Sequence, residues 1–205
     1  MEQRSKEWFD ARSGRFTASR INELMGIKGL NKTGDSYAYE KAIEIVYGAS
    51  DEDISTWDMK RGVDLEPIAF DLFSQKMGLE FVDVKKASFF PYGENAGASP
   101  DGLVGADAVL EIKCPRHNKF FEVVKSGEVE KAYYDQMQMQ MLCTNSNKCY
   151  FVNFIIYNSK PLMSVKEVYR DEERINLIKN RIEEASVLRD EYVQYLLNEE
   201  NILSY

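Results

Sequence analysis

The sequence is poor in the residues on which covalently or metal-stapled folds depend. Three cysteines, Cys114, Cys143 and Cys149, stand among 205 residues. An odd number without tight pairing does not make a disulfide framework. The C-x-x-C spacing of a zinc site is missing, and four thiolates for an iron–sulfur cluster are not available. The one histidine, His117, is weak ground for general-base or metal chemistry. Long apolar runs are absent too: residues 151–157 are interrupted by Asn153 and fall far short of a bilayer span. The opening MEQRSKEWFDARSG has no apolar stretch after its basic residues, so no secretory signal is expected. These absences predict a soluble, cytoplasmic protein with no membrane partner. No repeat, low-complexity block or Pro/Ser-rich linker divides the chain, and a single domain over 1–205 is the simplest organisation.

Positive charge is also scarce. The net charge of −8 excludes a protein that coats nucleic acid with its whole surface. Its distribution is uneven. The first 32 residues hold seven Lys/Arg (Arg4, Lys6, Arg12, Arg15, Arg20, Lys28, Lys32) against four acids (Glu2, Glu7, Asp10, Glu23). An acidic exterior with a basic N-terminal segment suits a protein that grips DNA in a confined channel.

What is present has mixed periodicity. A short helix is expected over 5–11, stopped near Gly14. A second, opened by Thr17 as N-cap, runs to Gly26 with Ile21, Leu24 and Met25 on one face. A polar, basic loop follows to Asp35, then helices at 36–47 and 59–77. Residues 80–90 read as a strand, 98–105 as a turn, and 108–114 (AVLEIKC) as a strand. Helices at 118–125 and 130–144, strands at 149–156 and 163–169, and a long amphipathic helix at 172–197 complete the pattern. The fold class is α/β (α+β), a central mixed sheet flanked by helices.

The sharpest chemical feature is SPDGLVGADAVLEIKCP, residues 99–115. Asp101 lies in a turn, and Glu111 and Lys113, one residue apart on the next strand, face the same way. A hairpin-like pairing brings Asp101 beside both. Two converging carboxylates repel unless a cation lies between them, and hard oxygen ligands select Mg²⁺ or Mn²⁺. A neighbouring lysine can hold an attacking water or balance developing negative charge. Such a set suits phosphodiester hydrolysis. The plainer alternative is a solvent-facing edge strand beside an ordinary Pro-Asp-Gly turn.

Further segments distinguish the two. EWFDARSGRFTAS, RGVDLEPIAFDLF, SPDGL, LEIKCP, AYYDQMQ and YFVNF occur in order over most of residues 7–154. In this the chain resembles the phage lambda exonuclease family, with its YqaJ-like viral recombinases, in the PD-(D/E)xK nuclease superfamily. The resemblance implies a restriction-endonuclease-like core and a Mg²⁺-dependent 5′→3′ exonuclease that degrades one strand of duplex DNA from its end, leaving 3′ overhangs for phage-type recombination. Two Mg²⁺ ions are implied, with Mn²⁺ able to substitute. Asp101, Glu111 and the Ile112 carbonyl would bind metal, with Glu66 assisting a second ion. Lys113 and Gln136 would position or activate water.

Arg12 and Ser19, and more weakly Thr17, would hold the 5′-phosphate, a role consistent with a helix N-terminus and a bidentate guanidinium. Lys28 and Lys32 would guide DNA, and Arg116 would touch its backbone near the metal. Trp8 is either an apolar anchor for the first helix, the favoured reading, or part of the surface near the DNA end, and His117 is read as incidental or near phosphate. A homotrimer, a single-strand annealing partner and a phage or prophage origin are further implications of the family. Open alternatives are an endonuclease of the same superfamily and a non-catalytic module that binds DNA ends.

Overall fold

The structure, a computed structural model, describes residue 3 and residues 5–49, 57–80 and 82–198. Glu2 and Arg4, counted above in the basic segment, and Phe81, in the expected strand 80–90, lie outside the described residues. Along the chain run α1 (Lys6–Arg12), β1 (Phe16–Thr17), a 3-10 helix (Ala18–Leu24), α2 (Lys32–Tyr47) and α3 (Trp57–Gly78). Then come β2 (Val84–Lys86), β3 (Phe90–Tyr92), β4 (Ala96–Ala98), β5 (Gly102–Val104) and β6 (Ala108–Lys113). The chain continues through α4 (His117–Ser126), α5 (Lys131–Thr144), β7 (Lys148–Tyr157), β8 (Lys160–Tyr169) and α6 (Glu172–Leu197). Among the described residues no helix is long and apolar enough to cross a membrane.

Two sheets form. The larger has the order β2-β5-β6-β7-β8 and is mixed: β6 and β7 are parallel and the other pairs antiparallel. A parallel pair needs a long crossover, which α4 and α5 supply. The smaller sheet has the order β1-β4-β3, with β1 parallel to β4. The mixed sheet flanked by helices matches the expected fold class.

Side-chain alternation in β6 decides what covers each face. Leu110 and Ile112 join Ala69, Phe73 and Met77 of α3 on one side. Val109 joins Met137 and Met141 of α5 on the other, with Cys149 and Phe151. Beyond α5 lies a second layer in which Met139 meets Phe16, Ile21, Leu24, Ile178 and Ile182. α5 is thus enclosed on both sides, and Asp135 through Met141 are all buried.

Buried amides call for hydrogen bonds, and the three glutamines of α5 make theirs in opposite directions, Gln140 through Nε2 alone, its buried Oε1 having no partner among the described residues. Gln138 donates to the Tyr169 carbonyl (2.9 Å) and accepts from the Asp171 N–H (2.8 Å), fastening the β8–α6 junction. Gln136 and Gln140, four residues apart and so on one helix face, turn toward β6. Arg174 locks the same helix with a bidentate pair to buried Asp135 (2.5 and 2.8 Å). Breaking a buried pair strands its partner. Arg174→Ala should therefore destabilise the fold by about 3 kcal/mol, read as a lower thermal midpoint.

Several expected elements are revised. The strand over 80–90 is divided: Val84–Lys86 pairs with β5, while Phe90–Tyr92 pairs with β4 in the other sheet. The turn over 98–105 shrinks to 99–101, because Ala98 ends β4 and Gly102 starts β5. The helix after Thr17 is 3-10, and Thr17 makes no side-chain cap bond. Its hydroxyl lies 3.3 Å from the Tyr37 hydroxyl. The loop 26–35 ends early because the Asn31 side chain caps α2, accepting from the Thr33 and Gly34 N–H groups (3.0 and 3.1 Å). Lys32 is therefore helical.

Candidate active site

β5 and β6 pair with Gly102 opposite Leu110. Asp101, just before β5, continues that pairing: its N–H donates to the Leu110 carbonyl (2.9 Å), and its Oδ2 accepts from the Ile112 N–H (2.6 Å). In a strand the N–H and C=O of one residue lie toward the same edge. The Ile112 carbonyl therefore faces the Asp101 edge, beyond the end of β5. Alternation in β6 puts Glu111 and Lys113 on the α5 face together, with Lys113 Nζ 2.6 Å from Glu111 Oε1.

Glu111 is 2% exposed. A carboxylate this buried persists only with donors around it. Oε1 accepts from Gln136 Nε2 (2.7 Å) and Lys113, and Oε2 from Gln140 Nε2. Burial alone would lower the Lys113 pKa, but Glu111 and Asp101 outweigh it and the ammonium is held above its ordinary value. Lys113 also stands 5.1 Å over the Tyr133 ring. Asp101 moves the other way. Burial, then the charges of Glu111 and Glu66, push its pKa well above the usual carboxylate range. Glu66, half-buried on α3, thus lies within electrostatic reach of Asp101.

This donor set fits a hard divalent cation. Two carboxylates and a backbone carbonyl supply oxygens, and the mutual repulsion that raises Asp101 is what a cation would relieve. Among the described residues no three His, Cys, Asp or Glu side chains form such a cluster by themselves. The Ile112 carbonyl and water would have to complete the coordination.

Next to this cluster lies a second group. Ser99, two residues before Asp101, accepts from Trp8 Nε1 (2.9 Å) and Arg12 Nη1 (3.3 Å). The Arg12 guanidinium stacks over the Trp8 ring at 4.0 Å. Burial lowers the pKa of Arg12, opposed by Tyr37 and Glu44. Thr17 is buried, its backbone N–H donates to the Tyr37 hydroxyl (3.0 Å), and its own hydroxyl lies 3.3 Å from that of exposed Ser19. α1 fully buries no residue, and half-buried Trp8, the expected apolar anchor, ties α1 through its indole N–H to the turn that carries Asp101.

The structure therefore joins Asp101, Glu111, Ile112, Lys113 and Gln136 in one cluster, with Glu66 near it, and links Arg12 to that cluster through Ser99. Lys28 and Lys32 are exposed. Arg116 sits at the N-cap of α4, three residues past Lys113. His117 packs edge-on against Tyr157 at 5.2 Å. Sequence reasoning missed Ser99 and Gln140. Both had a signal: Ser99 precedes the Pro-Asp pair, and Gln140 is one helical turn from Gln136.

Comparison with known proteins shows the family and the fold. The YqaJ-like viral recombinase domain matches residues 7–147, and the chain belongs to that family. LHK-Exo in complex with dAMP is 30% identical, with a TM-score of 0.85 over 98% of this chain and 100% of that one. The alkaline exonuclease LHK-Exo from Laribacter hongkongensis, in a further structure, is 29% identical with a TM-score of 0.82 and the same coverage. A phage-related exonuclease from Haemophilus somnus 129PT shares the fold at 19% identity, with a TM-score of 0.66 over 89% of this chain and 96% of that chain. No curated protein matches the sequence.

Proposed function

We propose that this chain, acting as a single nuclease domain, is a divalent-metal-dependent 5′→3′ exonuclease on double-stranded DNA ends that leaves 3′ overhangs. Its class, a deoxyribonuclease, follows from the family and from neighbours that are exonucleases. The observation that carries the finer reading is the pairing of two groups through one turn: Asp101, Glu111 and Lys113 on one side of Pro100, and Ser99 with Arg12 on the other.

Asp101, Glu111 and the Ile112 carbonyl would hold the ion, with Glu66 toward a second; Mg²⁺ is the natural choice and Mn²⁺ a substitute. Such a metal, when bound, polarises the phosphate and acidifies its water. Lys113 contributes a fixed positive charge where the phosphate becomes more negative, and its N–H groups can orient the attacking water. Gln136 holds Glu111 in place and can direct an amide toward the scissile phosphate. Arg12, with Ser19 and Thr17 nearby, offers donors to a terminal 5′-phosphate. Arg116, and Lys28 and Lys32 farther off, supply positive charge for the DNA backbone.

In the hydrolysis the water oxygen bonds to phosphorus, the P–O3′ bond breaks, and the 3′ oxygen leaves with a proton. The remaining strand then ends in a new 5′-phosphate, the group the Arg12 pocket accepts, so each cut prepares the next. Release of a 5′-mononucleotide is consistent with the dAMP bound to LHK-Exo. A homotrimer, a single-strand annealing partner and action in the cytoplasm of a phage-infected or lysogenic host accompany this reading as family expectations.

Digestion of linear duplex, labelled at one 5′ end, with Mg²⁺ or EDTA tests it. Mg²⁺-dependent loss of one strand from its 5′ end is expected, faster on 5′-phosphate than 5′-hydroxyl ends, with closed circles untouched. Nicked circles would favour an endonuclease, and retention of DNA without cleavage an end-binding module.

A further inference from the structure

The segment carrying Arg12, Thr17 and Ser19 is held by polar contacts at one glycine. Gly14 turns the chain with a φ of 69°, in the left-handed region that favours glycine. A Cβ there would lie 2.6 Å from Ile45 Cγ1. Both backbone polar groups of Gly14 are taken by side chains from distant helices. Its N–H donates to Glu44 Oε2 on α2, and its carbonyl accepts from Arg189 Nη1 on α6, each at 2.9 Å.

Arg189 reaches further. It is 6% exposed, and its Nη2 donates to Asn95 Oδ1 at 2.8 Å. The Asn95 carbonyl in turn accepts from the Phe16 N–H at 2.8 Å, and the guanidinium lies 5.8 Å from the Phe16 ring centroid. Asp190 balances the charge at 2.8 Å. Asn95 immediately precedes β4, and β4 runs straight into Ser99, Pro100 and Asp101. One buried guanidinium therefore ties the Arg12–Ser19 segment to the strand that delivers Asp101.

We propose that Arg189, braced by Glu44 across Gly14, is a positioning residue that fixes the spacing between the phosphate-holding segment and the catalytic turn, and thereby sets how many nucleotides leave in each cut. This rests on the exonuclease reading above. An enzyme that holds a terminal phosphate at one point and cuts at another releases a product as long as the gap between them. Successive phosphates of one strand rise about 3.4 Å along a duplex, so a few ångströms of play between segment and turn admits a longer product. Even about 1 Å of misplacement from a remote change can cost on the order of 100-fold in rate.

The test uses the full chain with Mg²⁺ and a duplex labelled on its 5′-terminal phosphate, resolving the first product released as mono-, di- or trinucleotide. The wild type should release mononucleotide. Arg189→Gln should release a mixture with dinucleotide, and should narrow the kcat/KM advantage of 5′-phosphate over 5′-hydroxyl ends by about tenfold or more. Asn95→Ala, which removes the second anchor of Arg189 and leaves its charge, should move both readouts in the same direction. Arg189→Lys should recover part of each.

Variants that melt like the wild type yet release mononucleotide alone, with the end preference unchanged, would overturn the proposal even if they are slower. If Arg189→Gln does not fold, Asn95→Ala decides by the same criteria. A wild type that leaves linear DNA uncut, or ignores end chemistry, defeats the exonuclease or phosphate-pocket reading before any variant is compared, and the spacing role falls with it.

Discussion

Lys113→Ala is expected to slow cleavage by roughly 100- to 1,000-fold, the range seen when one fixed donor to developing charge is removed. DNA affinity should change little. Other cations, Arg12 among them, serve the end-binding group, while Lys113 stands beside Glu111: Nζ is 2.6 Å from Oε1 and is held charged by Glu111 and Asp101. The loss should appear in kcat rather than KM, since an interaction made mainly in the transition state leaves ground-state binding alone. Lys113→Arg should not restore the rate. The planar fork of guanidinium presents its donors differently from a compact ammonium, and Glu111 Oε1 already accepts from Gln136. Single-turnover cleavage beside a filter-binding curve separates the two effects. Undiminished turnover in Lys113→Ala would remove this residue from the chemistry.

The central cluster was legible in the sequence because its logic is local. A strand alternates by two and a hairpin reverses, so Asp101, Glu111 and Lys113 had to converge once 108–113 was read as a strand. The long helices were legible for a similar reason: the stripe from Ile175 to Tyr195 needs no partner to declare its period. The end-binding group was not local in this sense. Arg12 meets Ser99 across most of a hundred positions, and the junction is made by polar atoms that leave no hydrophobic pattern.

The same blindness hid the division of residues 80–90 between two sheets. Three-residue strands such as Val84–Lys86 and Phe90–Tyr92 are too short for alternation to specify a partner. Gly97 helps to explain the geometry there: the Phe89 ring covers it so closely that a Cβ would lie 2.2 Å from Cζ. That contact can be seen only once the chain is folded. In α5 the helix and Gln136 were legible, but the direction of each glutamine was not. Gln136, Gln138 and Gln140 alternate by two, a spacing that on a helix does not place all three on one face. In the fold they separate by helical geometry into two that serve Glu111 and one that fastens α6.

The cluster also carries a conflict between stability and chemistry, and Asp101→Asn should expose it. Folded Asp101 sits beside Glu111 and Glu66, and burial with these two charges raises its pKa well above the ordinary value. A carboxyl that binds its proton more tightly folded than unfolded makes the protein less stable as pH rises from the ordinary Asp range to the folded value. The full cost is present above that value. In EDTA at pH 8 Asp101→Asn should therefore melt higher than the wild type, because the amide keeps an oxygen for the Ile112 N–H and removes a buried negative charge. Each 1 kcal/mol recovered appears as about 2–4 °C in a chain of this size. Near pH 4 the difference should shrink toward zero. Mg²⁺ should raise the wild-type midpoint more than the variant's, since the variant has lost a charged ligand, and cleavage by the variant should fall to background. A variant that melts below the wild type in EDTA at pH 8 would mean that Asp101 stabilises the metal-free fold, and that repulsion among these carboxylates is not the force a metal relieves.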